Sequence, residues 1–91
     1  MREKIRSLEY VMTIHAVEEM ENDRLSIFDV ENGVLTGDIV ERQKDEELGE
    51  WKYLVAGKTL DGDDISVIAK LSVNENLVII TVYLERNDYE N

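Results

Sequence analysis

At Gly37-Asp38 the hydrophobic period of this chain changes, and that change limits what it can fold into. Before it, apolar residues recur at three- and four-residue spacing, as one face of a helix requires. After it they alternate, as one face of a sheet requires. Helices first and strands afterwards pack as segregated layers rather than as alternating βαβ units. The expected fold is α+β, with two or three N-terminal helices packed on a four-stranded antiparallel meander.

Ile5, Leu8 and Met12 share one helical face and predict a first helical segment, although Tyr10 to Thr13 also reads as a short extended stretch. Thr13 is placed to cap a helix over Ile14 to Asn22, because its hydroxyl can accept from an exposed backbone N–H. Ala16, Val17 and Met20 form the side expected to be buried. Ser26-Ile27-Phe28-Asp29 has the form of a capping box, a hydroxyl followed three residues later by an acid. Ile27, Val30 and Val34 then share a face, with Phe28 and Leu35 beside it. Gly37 is expected to stop this helix as a C-terminal glycine.

Strands are expected over Asp38 to Lys44, Trp51 to Lys58, Ile65 to Leu71 and Leu77 to Leu84. Asp45 to Gly49, Asp61-Gly62 and Val73 to Asn76 supply the turns between them. The last strand is apolar at both alternating sets, which predicts a position inside the sheet or cover on both faces. Trp51 or Tyr53 is expected on the sheet face away from the helices, with the indole as a core or interface anchor. A large apolar face of that kind would favour a homodimer. The chain reads as one domain over residues 1–91, with a core over about 3–85 and a polar tail over 86–91.

Twenty-one acidic residues against ten basic ones give a formal net charge of −11. Nucleic-acid binders neutralise phosphates with clustered Lys and Arg. The one local cationic excess here is Arg2, Lys4 and Arg6. The acid excess serves solubility, or suits a basic protein partner that this chain would inhibit. There is no cysteine, no signal-peptide pattern and no apolar run of membrane-spanning length, so a cytoplasmic protein without membrane contact is expected.

His15-Ala16, Glu18, Met20 and Glu21, then Leu25-Ser26 and Asp29-Val30, resemble the opening of a bacterial and archaeal domain-of-unknown-function family with a histidine-headed helix followed by a serine-capped one. Gly37 to Glu41, Tyr53 to Gly57 and Ile80 to Tyr83 continue the resemblance, which covers roughly residues 8 to 84. In layout the family is similar to small RelE-like and BrnT-like ribonuclease toxins, which implies an RNA-cleaving ancestry. Relatives commonly carry an arginine where this chain has Glu19, and a basic residue followed by glycine near Asp23-Arg24.

Metal-independent RNA cleavage needs a base, an acid and a cation or donor at the phosphate. Candidate catalytic residues are His15 as base or acid, Thr81 and Tyr83 as donors or positioning groups, and Lys58 as the cation. The structural alternative for His15 is a partly buried side chain that helps to cap its own helix and bonds a strand. For Thr81 and Tyr83 the alternative is ordinary sheet packing. The Glu18, Glu19 and Glu21 cluster reads as a solvated helix face. Asp61-Gly62-Asp63-Asp64 lacks the ligand spacing of a calcium loop and reads as a turn. With one histidine and no cysteine, neither a metal nor a cofactor is expected. The favoured function is a small acidic binding or interaction module without catalysis. The alternatives are a RelE/BrnT-like ribonuclease or degenerate relative using His15, with RNA as its substrate, and an acidic inhibitor of a basic protein.

Overall fold

The computed structural model describes residues 1–7, 9–72, 74 and 76–85. Leu8, Val73, Glu75 and the expected tail over 86–91 lie outside the described residues. Three helices, α1 (Arg2–Arg6), α2 (Ile14–Asn22) and α3 (Ile27–Thr36), accompany five strands. The strands are β1 (Tyr10–Met12), β2 (Asp38–Asp45), β3 (Glu50–Lys58), β4 (Asp64–Leu71) and β5 (Leu77–Leu84).

The sheet has the order β1-β5-β4-β3-β2. Strands β2 to β5 form the expected antiparallel meander. The sheet is nevertheless mixed and five-stranded, because β1 pairs in parallel with β5, Tyr10 opposite Leu77 and Met12 opposite Ile79. Met12 therefore lies in a strand, not on the first helical face. A three-residue strand is too short to show a period, and its partner is at the far end of the sequence.

A bulge explains the apolar character of β5. Ile68 pairs with Thr81 and Ala69 with Ile79, so Ile80 is an extra residue on β5. Alternation shifts phase there, and the buried set runs Leu77, Ile79, then Val82. These side chains meet Ile65, Val67 and Ala69 of β4, Val30 and Val34 of α3, and Ala16 of α2 in one core. Ile5 of α1 completes it. The strand is interior as expected, but its two apolar sets come largely from this change of phase.

Helix α3 begins as the capping box predicts: Asp29 N donates to Ser26 Oγ at 3.2 Å and Ser26 N to Asp29 Oδ2 at 2.9 Å. It sits unusually close to β3. A β-carbon on Gly57 would fall on the Gly33 carbonyl, so only glycine allows this contact. Gly37 ends the helix with an extended backbone (φ −88°, ψ 173°), not in a left-handed conformation. Glycine is needed there for space, since a β-carbon would lie 2.6 Å from the Ala56 carbonyl.

Register places Trp51, Tyr53 and Val55 on the same sheet face, opposite Leu71, Ala69 and Val67. Val55, Val67 and Ala69 are buried, so this is the helix-bearing face. Trp51 and Tyr53 thus lie on the helix side, not the far side, toward the tip of the β2–β3 hairpin. The opposite face carries Val11, Leu54, Ile68 and Val78, with Lys52 and Lys70 among them.

Candidate functional site

The site centred on His15 is built where α2 lies along β5. Strand β1 covers β5 only as far as Ile79, and beyond that the edge of β5 needs other partners. Thr13 makes the junction. Its N–H donates to Ile79 O at 3.0 Å, its hydroxyl donates to Ile80 O at 3.4 Å, and the same oxygen accepts from Ala16 N at 3.1 Å as the cap of α2. From there the helix runs beside the strand. Glu19 Oε1 accepts from Val82 N at 3.2 Å, and Asp23 Oδ2 accepts from Leu84 N at 3.0 Å.

The spacing is matched on both sides. Four residues of helix rise about 6 Å, and two residues of strand rise about 7 Å. Carboxylates four apart on α2 therefore reach amides two apart on β5. His15 is the preceding member of the same stripe, and its Nε2 lies 3.3 Å from Glu19 Oε1. Its side chain is 68% exposed. Neither half of the structural alternative for His15 holds, since Thr13 does the capping and Glu19, not a strand, is the partner of the imidazole.

Glu18 and Glu21 are exposed as expected, but Glu19 is not part of a solvated face. Sequence reading missed Glu19 and Asp23 as bonding residues. The available signal was the spacing His15-Glu19-Asp23, one polar group on the same side of every helical turn.

The other candidates sit elsewhere. Thr81 and Tyr83 point from β5 to the face opposite the helices, in register with Ile68 and Ser66. Lys58 is at the end of β3, two strands away and roughly 10 Å from β5 by strand spacing, where it pairs with Asp64. Among the described residues no hydrogen bond or ion pair joins His15 to Lys58, Thr81 or Tyr83. The four form no single constellation through direct bonds. The acidic turn Asp61 to Asp64 is a hairpin connection, with Gly62 at φ +87°. No group of three or more His, Asp or Glu placed to hold a metal occurs among the described residues.

Among the described residues three groups have perturbed protonation. The Ser26 backbone N–H holds the Asp29 carboxyl below the usual carboxylate range, and the Leu60 N–H adds to this. Burial raises the Tyr10 phenol, and its hydrogen bond to Glu31 raises it further. A hydrogen bond to Glu50, whose Oε1 lies 2.8 Å from Nζ, raises Lys70. All three lie away from His15.

The arrangement defines a class: a small α+β domain whose mixed sheet is closed along part of one edge by carboxylates of its second helix. The chain belongs to the family described as Domain of unknown function (DUF4258), whose sequence pattern matches residues 12–84. That match runs from the last residue of β1 to the last of β5 and takes in the whole α2 stripe. No curated protein and no solved structure matches the chain. Among the described residues no helix is long and apolar enough to cross a membrane.

Proposed function

We propose that this chain acts by holding another molecule, as a small acidic binding or interaction module, rather than by turning over a substrate. The observation that carries this reading is the engagement of Glu19. Where the family resemblance leads one to expect an arginine, this chain has a carboxylate, and that carboxylate is bound to the Val82 amide and faces His15. A carboxylate at that position cannot supply the positive charge that a phosphate transition state calls for. The net charge of −11 works in the same direction by disfavouring a phosphate polymer. A homodimer through the bare sheet face is one form the interaction takes in this reading.

Induced expression in a sensitive host tests it, with wild type beside His15→Ala, Lys58→Ala, Thr81→Ala and Tyr83→Phe. No growth arrest and no RNA cleavage are expected from any of them. Arrest with cleavage that disappears in His15→Ala or Tyr83→Phe would establish a RelE/BrnT-like ribonuclease instead. Salt-sensitive capture of a basic nuclease or DNA-binding protein would assign the binding role to inhibition.

A further inference from the structure

The cations of this acidic chain are not spread evenly. On the helix-bearing face, α3 covers β3 and β4 but leaves the inner side of β2 open. A groove remains between α1 and the start of β2, lined by Arg2, Glu3 and Arg6 on the helix side and Asp38 on the strand side, with Val34, Ile39 and Val55 between them. Register extends the same face along the hairpin. Ile39 is opposite Val55, Arg42 opposite Tyr53, and Lys44 opposite Trp51. The rings of Trp51 and Tyr53 stack with centroids 6.3 Å apart, and Lys44 Nζ lies 5.6 Å from the indole centroid.

Arg2, Arg6, Arg42 and Lys44 thus flank one apolar and aromatic strip. The chain has 21 acidic residues, yet among the described residues none of these four cations is ion-paired with a carboxylate. Arg2 donates to the Gly37 carbonyl at 2.6 Å, and the fork retains further donors. Lys44 rests over an indole. Unpaired cations beside exposed apolar surface match a ligand that is both anionic and hydrophobic.

We infer that this groove and the hairpin face that continues it take a short acidic, amphipathic segment of a partner protein, with carboxylates at Arg2, Arg6, Arg42 and Lys44 and apolar side chains along Ile39, Tyr53 and Trp51. The assignment rests on the interaction reading above and names its surface. A peptide is favoured over a single-stranded nucleic acid by the pattern of charge. A polynucleotide carries a negative charge at every residue, and beyond Lys44 it would run into Asp45, Glu46 and Glu47. A peptide confines its charges to the cationic stretch.

Trp51 is the only tryptophan of the chain, so its fluorescence reports directly on this strip. The protein is titrated with a short synthetic peptide alternating Glu and Leu, with its Gln-for-Glu counterpart, and with oligouridylate. The Glu/Leu peptide is expected to shift Trp51 emission saturably and to bind more weakly as salt rises. Arg42→Glu with Lys44→Glu should weaken binding about tenfold or more, while Lys52→Glu, on the opposite face of β3, should change it less than about twofold. Equal binding of the Gln peptide, tighter binding of oligouridylate, an unaffected double variant, or no saturable binding would each overturn the inference. Loss of the groove without RNA cleavage leaves the interaction reading standing; His15-dependent cleavage removes that reading itself.

Discussion

The two edges of the sheet are treated in opposite ways. Along β5, past the end of β1, α2 lies against the strand and Glu19 and Asp23 accept its amides. Along β2 no element covers the outer edge among the described residues, and all eight of its residues are exposed. That strand is protected by composition instead: Asp38, Glu41, Arg42, Lys44 and Asp45 are charged, and the pairing slips at Val40. Charges and bulges discourage edge-to-edge association without closing the edge. One edge is therefore part of the folded core's hydrogen bonding, and the other is left as surface. Both devices use charged residues, which is why the acidic composition alone did not distinguish them.

The largest expected effect falls on the seat of α3, which fixes where cover ends and open surface begins. Gly57→Val drives side-chain atoms into the Gly33 carbonyl and should cost about 3 kcal/mol or more, read as a lost or strongly shifted urea transition. A tolerated valine would mean the helix is free to move off β3 and that the boundary is soft.

Next comes the closed edge. Glu19→Ala and Asp23→Ala each leave a β5 amide without its acceptor and should cost about 1–2 kcal/mol. Glu19→Gln, which keeps an acceptor, should cost less. Hydrogen exchange sharpens the contrast: the Val82 and Leu84 amides should exchange at least about tenfold more slowly than the outward amides of β2. Equal exchange at the two edges would dissolve the distinction.

A smaller effect concerns Asp29, which ties the capping box to the β3–β4 turn through Leu60. Its carboxyl is more acidic folded than unfolded, so it contributes stability above about pH 4. That contribution is lost as pH falls through the folded value. Asp29→Ala should cost about 1 kcal/mol near neutrality and flatten the acid limb of a stability-versus-pH curve. An unchanged acid limb would place the titration elsewhere. Smallest of all, Arg42→Ala on the open edge should change stability by less than about 0.5 kcal/mol. A larger loss would show that β2 is held by its charges and not merely guarded by them.

Local chemistry was legible in the sequence wherever it sufficed. Ser26 and Asp29 announce a helix start, Thr13 announces another, and Asp61-Gly62 announces a turn, because each acts within three or four residues. The alternation of Ile65, Val67 and Ala69 likewise needs nothing beyond its own strand. The rest depended on partners distant in sequence. Tyr10 to Met12 became a strand only because Leu77 to Ile79 were there to pair with it. The doubled apolar pattern of β5 concealed a bulge at Ile80, since a phase shift and a two-sided strand look alike before register is known. Glu19 resembled its solvated neighbours Glu18 and Glu21 until the Val82 amide came into view. Of the candidate site, His15 stood out as the lone imidazole, but its contact with Glu19 was visible only as a spacing.

The parallel pairing of β1 with β5 also dictates an order of assembly. Tyr10 meets Leu77 across 66 intervening residues, so the first strand has no place in the sheet until the last one exists. Closing so long a loop carries an entropy cost that must be met before the contact repays it, and such topologies fold slowly for their size. During synthesis the β2–β3–β4 meander can form while β1 and α2 wait, their carboxylates and apolar faces still in water. Residues 10–22, which carry β1 and α2, are thus made early and docked late.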